Sequence, residues 1–179
     1  GQILALKAQW AYFSNQHTLA IDLCRQALAL TPPSWTYLRG GVTLFLGMSM
    51  QAIGQSLAAE RLLLKEYEAN NETNNAYALQ VIEALGFNYL NSSQLNDAER
   101  IGQLLAQGGA ISGLGLLKNW GDYYLGVVHF EQYKLEFAEQ DFSKVNESRF
   151  TANLATYRES VAGLSLVKQS RGKNTEAWQ

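Results

Sequence analysis

The pattern that most constrains this chain is a recurrence. Leu125-Gly126 is followed by Ala138, and the same trio stands earlier as Leu85-Gly86 with Ala98 and as Leu46-Gly47 with Ala59. The step between copies is 39 residues and then 40. Carried back it lands on Ala8 and Ala20, and carried forward on Leu164-Ser165 and Ala177. A period of this length signals an array of helical repeats. Glycine inside a helix costs about 1 kcal/mol relative to alanine, so three in register imply a compensating contact. The expected contact is close approach of paired helices, with each glycine facing the alanine of its trio. Bulk at either place would push the axes beyond the roughly 8–10 Å of ordinary packing.

Helical spacing of apolar residues predicts the elements in order. The chain opens inside a helix (Leu4, Ala8, Ala11, Tyr12), breaks at Ser14–Thr18 and returns through Leu19–Leu30 to Thr31-Pro32-Pro33. A second hairpin starts near Trp35, turns at Gly54 with Ser56 as N-cap, and runs past Tyr67 into a polar connector, Asn70–Asn75. A third spans about Ala76–Tyr89 and Leu95–Ala106 around a turn at Asn91-Ser92-Ser93. The glycines at 108, 109, 113 and 115 read as a loose junction. A fourth covers Leu116–Gln132 and Leu135–Val145, turning at Tyr133-Lys134. A fifth first helix, Thr151–Gln169, is followed by a stub, Thr175–Gln179.

The expected fold class is therefore all-α: an α-α superhelix, a solenoid of about four and a half antiparallel hairpins in one domain over 1–179. The repeats fall at about 1–32, 34–71, 73–110, 112–148 and a partial 150–179. An array that starts and stops within repeats reads as a fragment of a larger protein.

Composition narrows the function. Net charge is −2 with no basic block, which argues against direct nucleic-acid contact, since phosphate neutralisation needs clustered Lys and Arg. No apolar run is long enough for a membrane span, and the first residues lack a signal pattern, so a cytoplasmic protein is expected. Cys24 is the single cysteine, which leaves no disulfide and no cysteine metal site within the chain. His17 and His129 have no second ligand at metal spacing. Gly113 and Gly115 follow no strand, as a phosphate cradle would require. Glu131, Glu136, Glu139 and Asp141 read as a solvated helix face. No enzyme, metal or cofactor is expected.

Leu-Gly at the seventh and eighth places, an aromatic at the eleventh (Tyr89) and Ala at the twentieth resemble tetratricopeptide (TPR) repeats. Phe142 matches the large residue of the twenty-fourth place, Gly102 departs from it, and Pro32 matches the closing proline. Leu38-Arg39-Gly40 leading to Leu46-Gly47, and Tyr124-Leu125-Gly126 leading to Phe130-Glu131-Gln132-Tyr133, resemble the effector-binding domain of MalT-like regulators of the LuxR family. That resemblance implies flanking ATPase and DNA-binding domains in the parent protein, and an effector as ligand.

The resemblance also implies that the first helix of each hairpin lines the concave wall. The wall residues are then Gln9 and Tyr12, Met48 and Gln51, Gln80, Glu83 and Phe87, and Trp120, Tyr123 and Phe130. Aromatic and amide side chains with rigid faces and polar tips suit a sugar, a peptide or an apolar effector. The same rings could instead pack between repeats. Ala8, Ala20, Gly47, Ala59, Gly86, Ala98, Gly126 and Ala138 are assigned to repeat packing. Two partners follow: a small-molecule effector sensed by a regulator, or a peptide or helix held by a protein–protein adaptor. Apolar seams at the ends add a possible homo-oligomer.

Overall fold

The structure, a computed structural model, describes residues 1–70, 76–150 and 152–178. The connector 71–75, Thr151 and Gln179 lie outside the described residues. Helices alone make up the regular structure among the described residues, and the chain divides into two compact units, Gly1–Ser92 and Ser93–Gln179.

The first unit contains α1 (Gln2–Phe13), α2 (His17–Leu30), α3 (Thr36–Ala52), α4 (Ser56–Asn70) and α5 (Ala76–Asn91). Within this unit α1 packs on α2 and α3, and α3 on α4 and α5. Ala8, Ile21, Cys24, Ala27, Val42, Leu46, Met50 and Ala59 form one core cluster. Burial pushes the Cys24 thiol up to about 12, so it behaves as a small apolar side chain.

The second unit contains α6 (Leu95–Ile111), α7 (Gly115–Glu131), α8 (Leu135–Glu147), α9 (Leu154–Ser170) and a short 3-10 helix, Glu176–Trp178. Here α6 packs on α7, α7 on α8 and α9, and α8 on α9. Asn153 caps α9, its Oδ1 accepting from the Thr156 amide at 2.7 Å.

The turns repeat as closely as the helices. Positive φ recurs at Asn15, Gly54, Ser93, Tyr133 and Gly172, spaced at the period of the array. At Asn15 the next amide, Gln16, donates to the Ala11 carbonyl at 2.9 Å, and Asn15 donates to Tyr12 at 3.0 Å. Gln55 to Met50, Lys134 to His129 and Lys173 to Lys168 repeat the longer bond. This is the Schellman closure, which satisfies carbonyls the helix end leaves open. Glycine marks only two of the five positions, so in sequence Gly54 alone read as a C-cap before its partner helix.

Two details differ from the sequence reading. First, Gly108 and Gly109 are no loop: α6 runs through them to Ile111, and both are buried. The junction shrinks to Ser112–Leu114 around Gly113 at φ +68°. The reason is a tight α6–α7 seam. A Cβ on Gly109 would lie 2.5 Å from the Lys118 amide nitrogen. Gly102, which departs from the large residue of the repeat, belongs to the same seam, with the Gly121 carbonyl oxygen 3.3 Å from where its Cβ would be.

Second, the alanines are not the nearest neighbours of Gly47 and Gly126. A Cβ on Gly47 would meet Leu63 Cδ1 at 2.8 Å, and one on Gly126 the Phe142 ring at 2.6 Å. Each partner lies one helical turn beyond the alanine. Ala8, Ala20, Ala59, Ala98 and Ala138 are all fully buried, as are Gly47, Gly86 and Gly126. Gly86 lies on α5 in the first unit and Ala98 on α6 in the second.

Candidate functional site

In the first unit, α1, α3 and the start of α5 enclose a cleft of about 490 Å³. Gln2, Ala5, Leu6 and Gln9 line it from α1, Tyr37, Leu38, Gly41, Val42 and Phe45 from α3, and Gln80 from α5. Gly40 and Gly41 make the shelf on which the Gln80 amide lies. A Cβ on Gly40 would fall 2.2 Å from Gln80 Oε1 and 3.0 Å from the Tyr77 Cα. Gln80 is 9% exposed, and its Oε1 is buried with no hydrogen-bond partner among the described residues. That oxygen lies against Gly40, while the cleft itself is lined by the amides of Gln2, Gln9 and Gln80 among aliphatic and aromatic side chains.

Of the expected wall residues, Gln9 and Gln80 line this cleft. Tyr12 is half-buried beside it, in ring contact with Phe13, His17 and Phe45 at centroid distances of 5.3, 5.4 and 5.3 Å. Met48 and Gln51 on α3 and Phe87 on α5 are half-buried and do not line it. Glu83 keeps part of its surface exposed, yet burial of its carboxyl raises the pKa to about 8. Tyr37 and Gly41 were missed. Both stand at the start of α3: Tyr37 precedes the inner-facing places the resemblance supplies, and Gly41 fills the place that Gln80 fills one repeat later but has no side chain to mark it.

Beneath the cleft, polar groups are engaged. Tyr77 donates to Glu66 Oε2 at 2.5 Å, and burial, then that bond, pushes its phenol up to about 12. Arg39 donates to the carbonyls of Leu28 at 2.9 Å and Thr31 at 2.8 Å, capping the end of α2.

In the second unit, Tyr123 and Phe130 pack on a cluster of Leu135, Ala138, Phe142 and Val167. Trp120 stands edge-on to Tyr123 at 5.8 Å and tilted against Tyr124 at 5.7 Å. Burial, and then the charge of Glu159, raises the Tyr123 pKa. Asp141 differs from its reading as part of a solvated face. It is 5% exposed and accepts from Lys144 Nζ at 2.6 Å, while His129 Nδ1 lies 2.7 Å from its other oxygen. Burial acts to lower the Lys144 pKa, but the bond to Asp141 and the charges of Asp141 and Asp122 outweigh it, and the net shift is upward. Helical spacing hid this, because His129 and Asp141 sit on different helices. Among the described residues no group of three or more His, Cys, Asp or Glu could hold a metal, and no helix is long and apolar enough to cross a membrane.

No protein-family model matches the chain, and no curated protein matches it. Solved structures do. The fold is TPR-like. A crystal structure of a Podosopora anserina putative kinesin light chain with nearly identical TPR-like repeats aligns with a TM-score of 0.71 and 18% identity, covering 99% of this chain and 89% of that one. A single-substitution variant of the same protein aligns with 0.71 and 17%, over the same shares. At such identity the likeness shows the fold alone: an all-α TPR-like solenoid. The resemblance to MalT-like regulators has no counterpart among these matches.

Proposed function

We propose that this TPR-like chain is a protein-interaction module whose first unit holds an extended, mainly neutral peptide of a partner in the α1–α3–α5 cleft. The observation that carries the reading is the lining of the cleft: the amide side chains of Gln2, Gln9 and Gln80 stand among Leu6, Tyr37 and Phe45. Aliphatic and aromatic walls take apolar side chains, and an amide can pair with a peptide backbone N–H and C=O in turn. The cleft carries no Lys or Arg, and Arg39 is committed to carbonyls, so an acidic peptide finds no clamp. Gln9 and Gln80 are the contact residues proposed first, with Tyr12 beside them.

The test is peptide selection from a random library, followed by fluorescence polarisation on the wild type and Gln80→Leu. The expected result is saturable binding that weakens at least tenfold in Gln80→Leu, with the fold retained by circular dichroism. Peptide binding equal in both proteins would overturn the cleft assignment. Thermal stabilisation by a sugar or metabolite, with no peptide bound, would return the small-molecule sensor reading.

A further inference from the structure

Resting on the reading of the α1–α3–α5 cleft as a peptide site, we infer that the peptide it takes is proline-rich and that Gly41 is the notch for one proline ring. Gln2, Gly41 and Gln80 stand 39 residues apart, so they occupy one place on three successive first helices. All three line the cleft. Gly41 puts no side chain between the two amides. A Cβ there would have Gln80 Nε2 as its nearest atom, at 3.8 Å, so the space over the α3 backbone is open. One turn to either side on α3 stand Tyr37 and Phe45. The notch is bounded by amides across the helices and by aromatic rings along α3. Its Phe45 wall is held in place by Tyr12 and Phe13 of α1, with ring centroids 5.3 and 5.8 Å away.

Shape and hydrogen bonding both select proline. A compact apolar ring fits between two aromatic walls, as in grooves that take polyproline II segments. The buried amide at the floor offers a donor: Gln80 Oε1 is turned against Gly40, and Nε2 is the atom that comes near Gly41. An ordinary extended chain brings an N–H and a carbonyl at each residue, whereas proline brings the carbonyl alone. Polyproline II has no internal hydrogen bonds, so those carbonyls stay free to accept. Gln2 and Gln9 add amide donors at the α1 side. No charged side chain is among the described residues lining the cleft, which suits a neutral segment read by its rings and carbonyls.

Fluorescence polarisation of a labelled ten-residue oligoproline, titrated with the full chain up to 1 mM, is the experiment. Saturable binding is expected, at least tenfold tighter than that of an alanine–serine peptide of the same length. Gly41→Leu is expected to weaken it at least tenfold, with helical circular dichroism retained. Gly41→Ala, whose methyl enters open space, is expected to weaken it less. Oligoproline that fails to bind, or that binds Gly41→Leu as tightly as the wild type, overturns the proposal. Library-selected peptides that bind, are weakened by Gln80→Leu and carry no proline would leave the cleft a peptide site and overturn the proline assignment alone. If no peptide binds, both fall.

Discussion

Gly121 of α7 and Ala106 of α6 touch backbone to backbone. A Cβ on Gly121 would stand 2.3 Å from the Ala106 amide nitrogen and 2.6 Å from the Gly102 carbonyl oxygen. Neither obstacle is the end of a flexible side chain, so relief requires the two helices to part. Gly121→Ala is expected to cost about 3 kcal/mol or more, in the range of overpacked cores. Gly41→Ala supplies the contrast, because its nearest atom, Gln80 Nε2, is 3.8 Å away. It is expected to stabilise by up to about 1 kcal/mol through helix propensity. Urea denaturation of both variants checks this, and equal losses would contradict it.

Phe142 lies in a slot between two glycines. A Cβ on Gly126 of α7 would meet one edge of the ring at 2.6 Å, and a Cβ on Gly163 of α9 the other edge at 2.6 Å. A ring bracketed this way cannot retreat from one methyl without striking the opposite helix. Gly126→Ala is expected to cost about 2 kcal/mol and Phe142→Leu about 1 kcal/mol. The double variant is expected to lose at least about 1 kcal/mol less than the sum, because the smaller side chain makes room for the methyl. A denaturant double-mutant cycle measures the coupling; strict additivity would refute the slot.

Glu83 links stability to pH. Burial holds its pKa at about 8, against an ordinary value of 4.5. Below 4.5 the carboxyl is protonated in folded and unfolded chains alike. Between 4.5 and 8 the unfolded chain releases the proton while the folded chain keeps it, so stability falls as pH rises and levels off above 8. Glu83→Gln removes this slope. Its melting temperature is expected to match the wild type at pH 4 and to exceed it at pH 9 by at least about 3 °C, the shift of roughly 1 kcal/mol in a chain of this length. Parallel melting curves across that range would exclude the effect.

Part of the candidate site came from the resemblance: Gln9 and Gln80, which it sets on one wall, both line the α1–α3–α5 cleft. Spacing could not say that Gly40 and Gly41 leave a shelf for the Gln80 amide, since that depends on how closely α5 approaches α3. Trp120, Tyr123 and Phe130 share the same register, yet in the second unit their rings lie among other aromatics and the Phe142 cluster. Register places a residue on a face; the neighbouring helix decides whether that face is open.

The primary structure by itself determined the period, the helices and their pairing by short turns, because these rest on local spacing that 3.6 residues per turn converts directly into faces. Tertiary structure decided the rest. It made Gly108 and Gly109 part of a helix, set Leu63 and Phe142 over Gly47 and Gly126, and drew Asp141 under His129. Each of these depends on the distance and rotation between two helices. Those are fixed by the side chains of both partners together and are written in neither one alone.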